Sequence, residues 1–281
     1  MNMKSVAVTG SFDNVQARDL RLLEEASQLG AVSVLLRSDD SIEAITGQPP
    51  RFPVAERFYL VSSVRYVGHV VVVDGPASDD RLAASEPIRP DIWVIDEVDW
   101  TKSKADYCKA NLIELRSISG TTLEQFPTPA SRPICAKTAT GREIRRKRVL
   151  VTGCFDWLHS GHVRFFEEVS ELGDLYAVVG HDANIRFLKG EGHPLLSQNE
   201  RRYAVGAIRF VTQALISSGE GWMDAEPEIS VIQPDIYAVN EDGDRPEKRE
   251  FCRSHGIEYV VLRRLPKAGL PARSSTDLRG F

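Results

Sequence analysis

The sequence predicts an α/β fold built twice in tandem, and three observations carry that prediction. An apolar run, a small-residue turn and a helical pattern occur at the start of the chain and again past its middle. Residues 6–19 read VAVTGSFDNVQARD and residues 149–162 read VLVTGCFDWLHSGH. The two halves then stay in register over most of their length. Finally, 281 residues with 42% hydrophobic content are enough to fill two α/β cores of ordinary size.

The elements follow in order, most clearly in the second copy. Arg148-Val149-Leu150-Val151 reads as a buried strand. Thr152-Gly153-Cys154 supplies a turn with little side-chain bulk. From about Leu158, apolar and polar residues recur at helical spacing through HVRFFEEVSELG, and Gly173 reads as the helix C-cap. NIRFLKGEGHPLLSQNERRYAVGAIRFV leads into a second helix with arginines near its start, and QPDIYAVN (233–240) ends in a further strand. The first copy matches step by step. Gly10 pairs with Gly153 and Gly30 with Gly173. Glu56-Arg57 pairs with Glu200-Arg201, SSVRYV (62–67) with GAIRFV (206–211), RPDIWVID (89–96) with QPDIYAVN, and Cys108 with Cys252. A repeat of domain size means tandem domains rather than a solenoid. The expected boundaries are 1–126, a linker at 127–147, and 148–281. The linker PTPASRPICAKTATGREIRRKR is rich in prolines and small polar residues, as an extended connection would be.

The second copy carries the chemistry. His159 and His162 sit where a strand hands over to a helix N-terminus, which offers unpaired N–H groups and partial positive charge suited to phosphate. Spaced three apart, they share one face of the first turn, and Gly161 between them lets a phosphate or a neighbouring strand come close. A bare HxxH is compatible with ordinary polar residues at a helix start. GxFDxxHxGH after a hydrophobic strand is far more specific, and it resembles the nucleotidyltransferase superfamily of cytidylyltransferases and related adenylyltransferases.

The resemblance spans roughly residues 148–281 and implies a Rossmann-like domain with a parallel sheet in each copy. It implies phosphate binding by Lys189, with Arg201 (or its rival Arg202) assisting from the following helix. PARSSTDLRG resembles the family's Ser/Thr-rich signature, which implicates Ser274, Ser275, Thr276 and Arg279; Arg264 and Lys267 precede it. His159, His162, Lys189 and Arg279 are the expected catalytic set. Gly153, Cys154, Phe155, Asp156, Arg201, Asn240, Glu241, Asp242, Ser275 and Thr276 are the expected nucleotide contacts. Asp156 would orient the motif turn, with capping as its plainer role. The implied reaction moves a nucleotidyl group from a nucleoside triphosphate to a phosphorylated small molecule, with Mg²⁺ held chiefly by the nucleotide phosphates. CTP is the first expectation, because tandem copies resemble the arrangement of ethanolamine-phosphate cytidylyltransferase. ATP is the second, because the motif and LKG stretch also resemble the adenylyltransferase domain of ADP-heptose synthesis and archaeal FAD synthases. A nucleotide-binding regulatory module is the reading from another class. Class I aminoacyl-tRNA synthetases share the histidine signature, but this chain is short for one and lacks a KMSKS-like loop.

The first copy is eroded at the matching places. Gln16 and Asp19 replace the histidines, Thr46 stands for Lys189, and Gln125 for Arg279. Residues 1–126 are therefore expected to keep the fold without the activity, or else to hold a different ligand. In related cytidylyltransferases the segment resembling AIRFV lies at a dimer interface, so the two halves are expected to pack as an intramolecular pseudo-dimer, with the chain a monomer or a homodimer.

Composition excludes other classes. A net charge of −5 implies no general nucleic-acid affinity. The basic cluster Arg142, Arg145, Arg146, Lys147 and Arg148 reads as a solvated linker entering a strand, with phosphate or nucleic-acid binding as the alternative. No run approaches a membrane span, and MNMKSVAVTGS passes directly into a strand without a cleavable apolar segment, so a cytoplasmic protein is expected. Four cysteines without a CxxC pair give no disulfide or zinc framework. Cys108 and Cys252 read as core residues, and Cys135 lies in the linker. His181 and His193 flank the Lys189 loop, where substrate contact is the alternative to the favoured reading of plain exposure; His69 and His255 have no supporting pattern.

Overall fold

The computed structural model describes residues 3–74, 80–82, 89–128, 136–137, 143–144 and 146–275. The chain divides into two compact units, Met1–Phe126 and Pro127–Phe281. The first contains β1 (Ser5–Gly10), α1 (Ala17–Leu29), β2 (Ala31–Arg37), α2 (Asp39–Thr46), α3 (Val54–Ser62), β3 (His69–Val73), β4 (Ile92–Asp96), α4 (Lys102–Ala110), β5 (Glu114–Ile118) and α5 (Gly120–Leu123). Its five strands are all parallel, in the order β3-β2-β1-β4-β5. Within the expected linker, β6 (Ala136–Lys137) and β7 (Glu143–Ile144) form a short antiparallel ladder.

The second unit repeats the plan with β8 (Arg148–Gly153), α6 (Ser160–Leu172), β9 (Asp174–Val179), α7 (Asp182–Lys189), α8 (Gln198–Gly206), β10 (Val211–Ile216), α9 (Glu226–Ile232), β11 (Ile236–Asn240), α10 (Pro246–His255) and β12 (Glu258–Leu262). Its order is β10-β9-β8-β11-β12, again all parallel. Parallel neighbours need helical crossovers, and strands covered on both faces read as apolar runs. Val149, Leu150 and Val151 are accordingly fully buried. Cys108 on α4 and Cys252 on α10 are buried free thiols, as expected of core residues. Among the described residues no helix is long and apolar enough to cross a membrane.

The two units share backbone details as well as topology. Phe12 and Phe155 both adopt left-handed conformations, at φ 48° and 50°, which non-glycine residues rarely do. Each ring folds back over the preceding glycine: a Cβ on Gly10 would stand 3.0 Å from the Phe12 ring, and one on Gly153 2.7 Å from the Phe155 ring. A Cβ on Gly30 or Gly173 would overlap the carbonyl oxygen of Lys4 or Lys147. Gly173 does follow α6, but what demands glycine there is this close approach. The helix expected from about Leu158 begins at Ser160, with His159 as its N-cap.

In each sheet the order reverses beside the first strand, between β1 and β4 and between β8 and β11. A crevice opens outside the carboxyl ends at such a switch point, and the second unit's cleft lies there.

Candidate active site

The site is built on the turn from β8 to α6. His159 Nδ1 accepts the Gly161 N–H at 3.1 Å, which places the ring proton on Nε2. The His159 and His162 rings stack at 4.0 Å. The Phe155 ring meets His162 edge-on at 5.3 Å and rests on Phe166 at 5.1 Å, so the strained Phe155 buttresses the pair from below. A Cβ on Gly161 would lie 2.9 Å from the His159 ring and 3.2 Å from the Arg273 carbonyl oxygen. Glycine is needed there because the ring and the 273 segment press against it. His159 Nε2 and His162 Nδ1 are buried without a hydrogen-bond partner. Unpaired buried polar atoms are rare enough to call for an occupant.

Electrostatics keeps both rings neutral. Burial first, then the His162 ring and the Arg264 and Arg273 charges, hold the His159 pKa far below its usual range. Burial, followed by Arg264, pushes His162 down to about 3, against an opposing hydrogen bond with the Trp157 backbone.

A cleft of about 590 Å³ opens beside this turn. Gly153, Cys154, Phe155, Asp156 and His162 line its base, with Lys189 at the end of α7 and Ser274 and Ser275 on another side. Asn240 lines it at the end of β11, Asp242 just after that strand, and Arg264 after β12. The Arg264 guanidinium bonds the Asp242 carboxylate and the Arg273 carbonyl. Three features of the cleft were not read from the sequence. Trp222 stands in a 3-10 turn, Gly221–Met223, which Asn184 holds by bonding both Gly221 N–H (2.8 Å) and Gly221 C=O (3.1 Å). The Arg245 guanidinium lies over its indole at 4.8 Å. Lys248 lines the cleft as a buried ammonium.

Several expected contacts are placed otherwise. Arg201 is fully buried and is not among the residues lining the cleft. Its guanidinium donates to the carbonyls of Leu196, Cys154 and Gly180 at 3.0, 2.6 and 2.8 Å and to Asp182 at 2.6 Å. It ties three loops together, and its rival Arg202 is buried too. Asp156 accepts the Leu195 and Leu196 N–H groups at 2.8 to 3.0 Å, so it anchors the Lys189 loop to the motif. Glu241 is exposed and is not among the residues lining the cleft. His181, read as exposed, is half-buried: it caps α7 through Asn184 N–H and bonds the Gly219 carbonyl. His193 does line the cleft. Thr276, Arg279, Cys135, Arg142 and Arg145 lie outside the described residues.

The first unit keeps the frame and fills the site. Arg57 repeats the Arg201 clamp on Phe52, Ser11, Arg37 and Asp39, and Asp13 repeats Asp156 by accepting Arg51 and Phe52 N–H. Where the histidines would stand, Asp19 accepts the Gln16 N–H at 2.8 Å. Arg18 makes a bidentate pair with Asp96 at 2.7 and 3.0 Å, and Glu97 accepts the Gly120 N–H.

Comparison with known proteins agrees with this geometry. The cytidylyltransferase-like family model matches residues 150–279. An FAD synthase from Ferroglobus placidus is 37% identical over 120 residues, 42% of this chain and 75% of that protein. An FAD synthase from Aciduliprofundum boonei is 35% identical over 47% of this chain and 84% of that protein. The bifunctional protein HldE of Pelobacter propionicus is 33% identical over 46% of this chain, but only 27% of its own length is covered. The matched segment, the GCFDWLHSGH turn and the stacked imidazoles at the switch point coincide, and the chain belongs to the cytidylyltransferase-like family and is a nucleotidyltransferase.

Proposed function

We propose that the second unit transfers an adenylyl group from ATP to a phosphorylated small molecule, releasing pyrophosphate. The observation that carries the phosphate reading is the pair of buried, partnerless imidazole nitrogens at the α6 N-terminus. ATP is preferred over CTP because the similar proteins include several FAD synthases, whose product contains an adenylyl group. An acceptor phosphate is already an anionic nucleophile. Its oxygen attacks the α-phosphorus, the α–β P–O bond breaks, and no side-chain base is required. Catalysis is then positioning plus charge stabilisation. His159 and His162 hold the triphosphate, Lys189 bridges acceptor and α-phosphate, and Arg264 with Ser274 and Ser275 faces the remaining phosphates. Arg279 and Thr276 keep their expected place in this scheme. Mg²⁺ enters on the triphosphate. The cleft carboxylates are committed elsewhere, Asp224 to Ser217, Asp242 to Arg264 and Asp156 to the loop amides, and the described residues contain no cluster of three metal-ligating groups.

The first unit is, on this reading, the non-catalytic copy. Its pairing with the second as a pseudo-dimer belongs to the same proposal and rests on the repeated SSVRYV and GAIRFV segments.

The test is pyrophosphate release with Mg²⁺ and each of ATP, CTP, GTP and UTP, against FMN and a panel of sugar and alcohol phosphates. ATP is expected to support turnover, and His162→Ala and the surface variant Lys189→Ala are each expected to lower kcat/KM by about 100-fold or more. Turnover with CTP alone would restore the cytidylyl reading. No release with any pair would leave a nucleotide-binding module.

A further inference from the structure

Lys248 stands in the first turn of α10, is 8% exposed, and lines the cleft where β8 and β11 end. Its ammonium makes two long hydrogen bonds, 3.3 Å to Thr152 Oγ1 and 3.5 Å to the Gly243 carbonyl, and lies 5.7 Å over the Tyr237 ring. Among the described residues it forms no ion pair. A buried cation held this loosely is costly unless something else pairs with it.

The first unit shows what such a lysine does when it is only structural. Lys104 occupies the matching turn of α4 and is 4% exposed. It lies over Trp93, the counterpart of Tyr237, at 5.3 Å. Its ammonium donates to the Asp99 carbonyl at 2.7 Å, and Asp99 is the counterpart of Gly243. The same bond is therefore short in the eroded copy and stretched in the intact one. In the second unit the Tyr237 hydroxyl and Lys248 converge on the Thr152 oxygen. In the first unit Trp93 Nε1 contacts Thr9 instead. Burial lowers the Lys248 pKa, and the Asp224 carboxylate, which also lines the cleft, works against that shift.

We propose that Lys248 is a substrate-binding residue whose ammonium takes a phosphate oxygen of the nucleotide or of the acceptor. The proposal rests on the nucleotidyl-transfer reading above. Bound phosphate supplies shorter, charge-assisted hydrogen bonds than the stretched one to the Gly243 carbonyl, at a place where the charge is already desolvated.

The experiment uses the full chain and three variants: Lys248→Met, Lys248→Arg and the matched control Lys104→Met. Steady-state kinetics and calorimetric binding of Mg²⁺·ATP, inorganic pyrophosphate and acceptor are measured on each. Lys248→Met is expected to raise one KM, or lower kcat, by about 10-fold or more, and Lys248→Arg to recover part of the loss. Lys104→Met is expected to lower Tm and leave kinetics and binding unchanged. A rise confined to ATP and pyrophosphate assigns the contact to the triphosphate, and a rise confined to the acceptor assigns it to the acceptor phosphate. Wild-type constants in Lys248→Met, or a loss of Tm alone like that of Lys104→Met, would overturn the proposal. Should the wild type release no pyrophosphate with any pair, the functional reading fails by itself. Binding of Mg²⁺·ATP and pyrophosphate to wild type and Lys248→Met still decides the role of Lys248.

Discussion

Burial fixes the protonation of the two imidazoles, and with it a dependence of stability on pH. Free in the unfolded chain, each titrates near 6.5; folded, His162 is held at about 3 and His159 lower still. Between these limits the unfolded state binds protons that the folded state refuses, so stability is complete above pH 6.5 and falls as the solution is acidified. At pH 5 the loss amounts to about 2 kcal/mol per group. Urea unfolding at pH 7.5 and 5.0 should show it, and His162→Gln should remove about half; an unchanged acid loss in that variant would refute the assignment. At this scale the histidines were legible in the sequence because the family motif is contiguous. Arg201 was misread, since nothing in a linear pattern distinguishes an arginine that binds phosphate from one that collects backbone carbonyls. Lys248 was passed over because EDGDRPEKR is a charged run, which normally means a solvated face. Only the packing of α10 on β11 and β12 buries it.

Elements are placed by contacts that local propensity does not express. The strand at Arg148, the helix after it and the strand ending at Asn240 were readable from apolar runs and helical spacing, and the register between halves carried the same pattern to the first copy. Gly173 was recognised as a helix end, but the need for glycine arises across space, from the Lys147 carbonyl that enters β8. Gly30 meets the Lys4 carbonyl in the same way. Gly30→Ala and Gly173→Ala are therefore each expected to destabilise the protein by about 1–3 kcal/mol, measured by chemical unfolding. Equal stability in either variant would show that the backbone there can yield. The 3-10 turn bearing Trp222 was not foreseen, because the Asn184 side chain that holds it lies on another element, α7.

The whole molecule is two units of one design, and the proposed reading gives only the second an appetite for nucleotide. Arg18–Asp96 and the Glu97 carboxylate place the first unit's own charges where the second leaves imidazole nitrogens unpaired. Mg²⁺·ATP should therefore protect only residues 148–275 in hydrogen exchange, while the exchange of residues 3–74 stays constant. At ~100 times its dissociation constant the nucleotide should add about 2.7 kcal/mol to the second unit alone. Protection spread equally over both units would mean that the first still binds nucleotide. The paired clamps, Arg57 and Arg201, have a further consequence. On the proposed reading, an activity-scored mutational screen is expected to rank Arg201 beside His162, although one loss is of folding and the other of chemistry. On that reading, Arg57 and Arg201 are expected to answer to the same demand along a lineage of such chains, while Gln16 drifts from what His159 keeps. On the proposed reading, the first half is expected to record sequence change with selection on catalysis relaxed and selection on folding still in force.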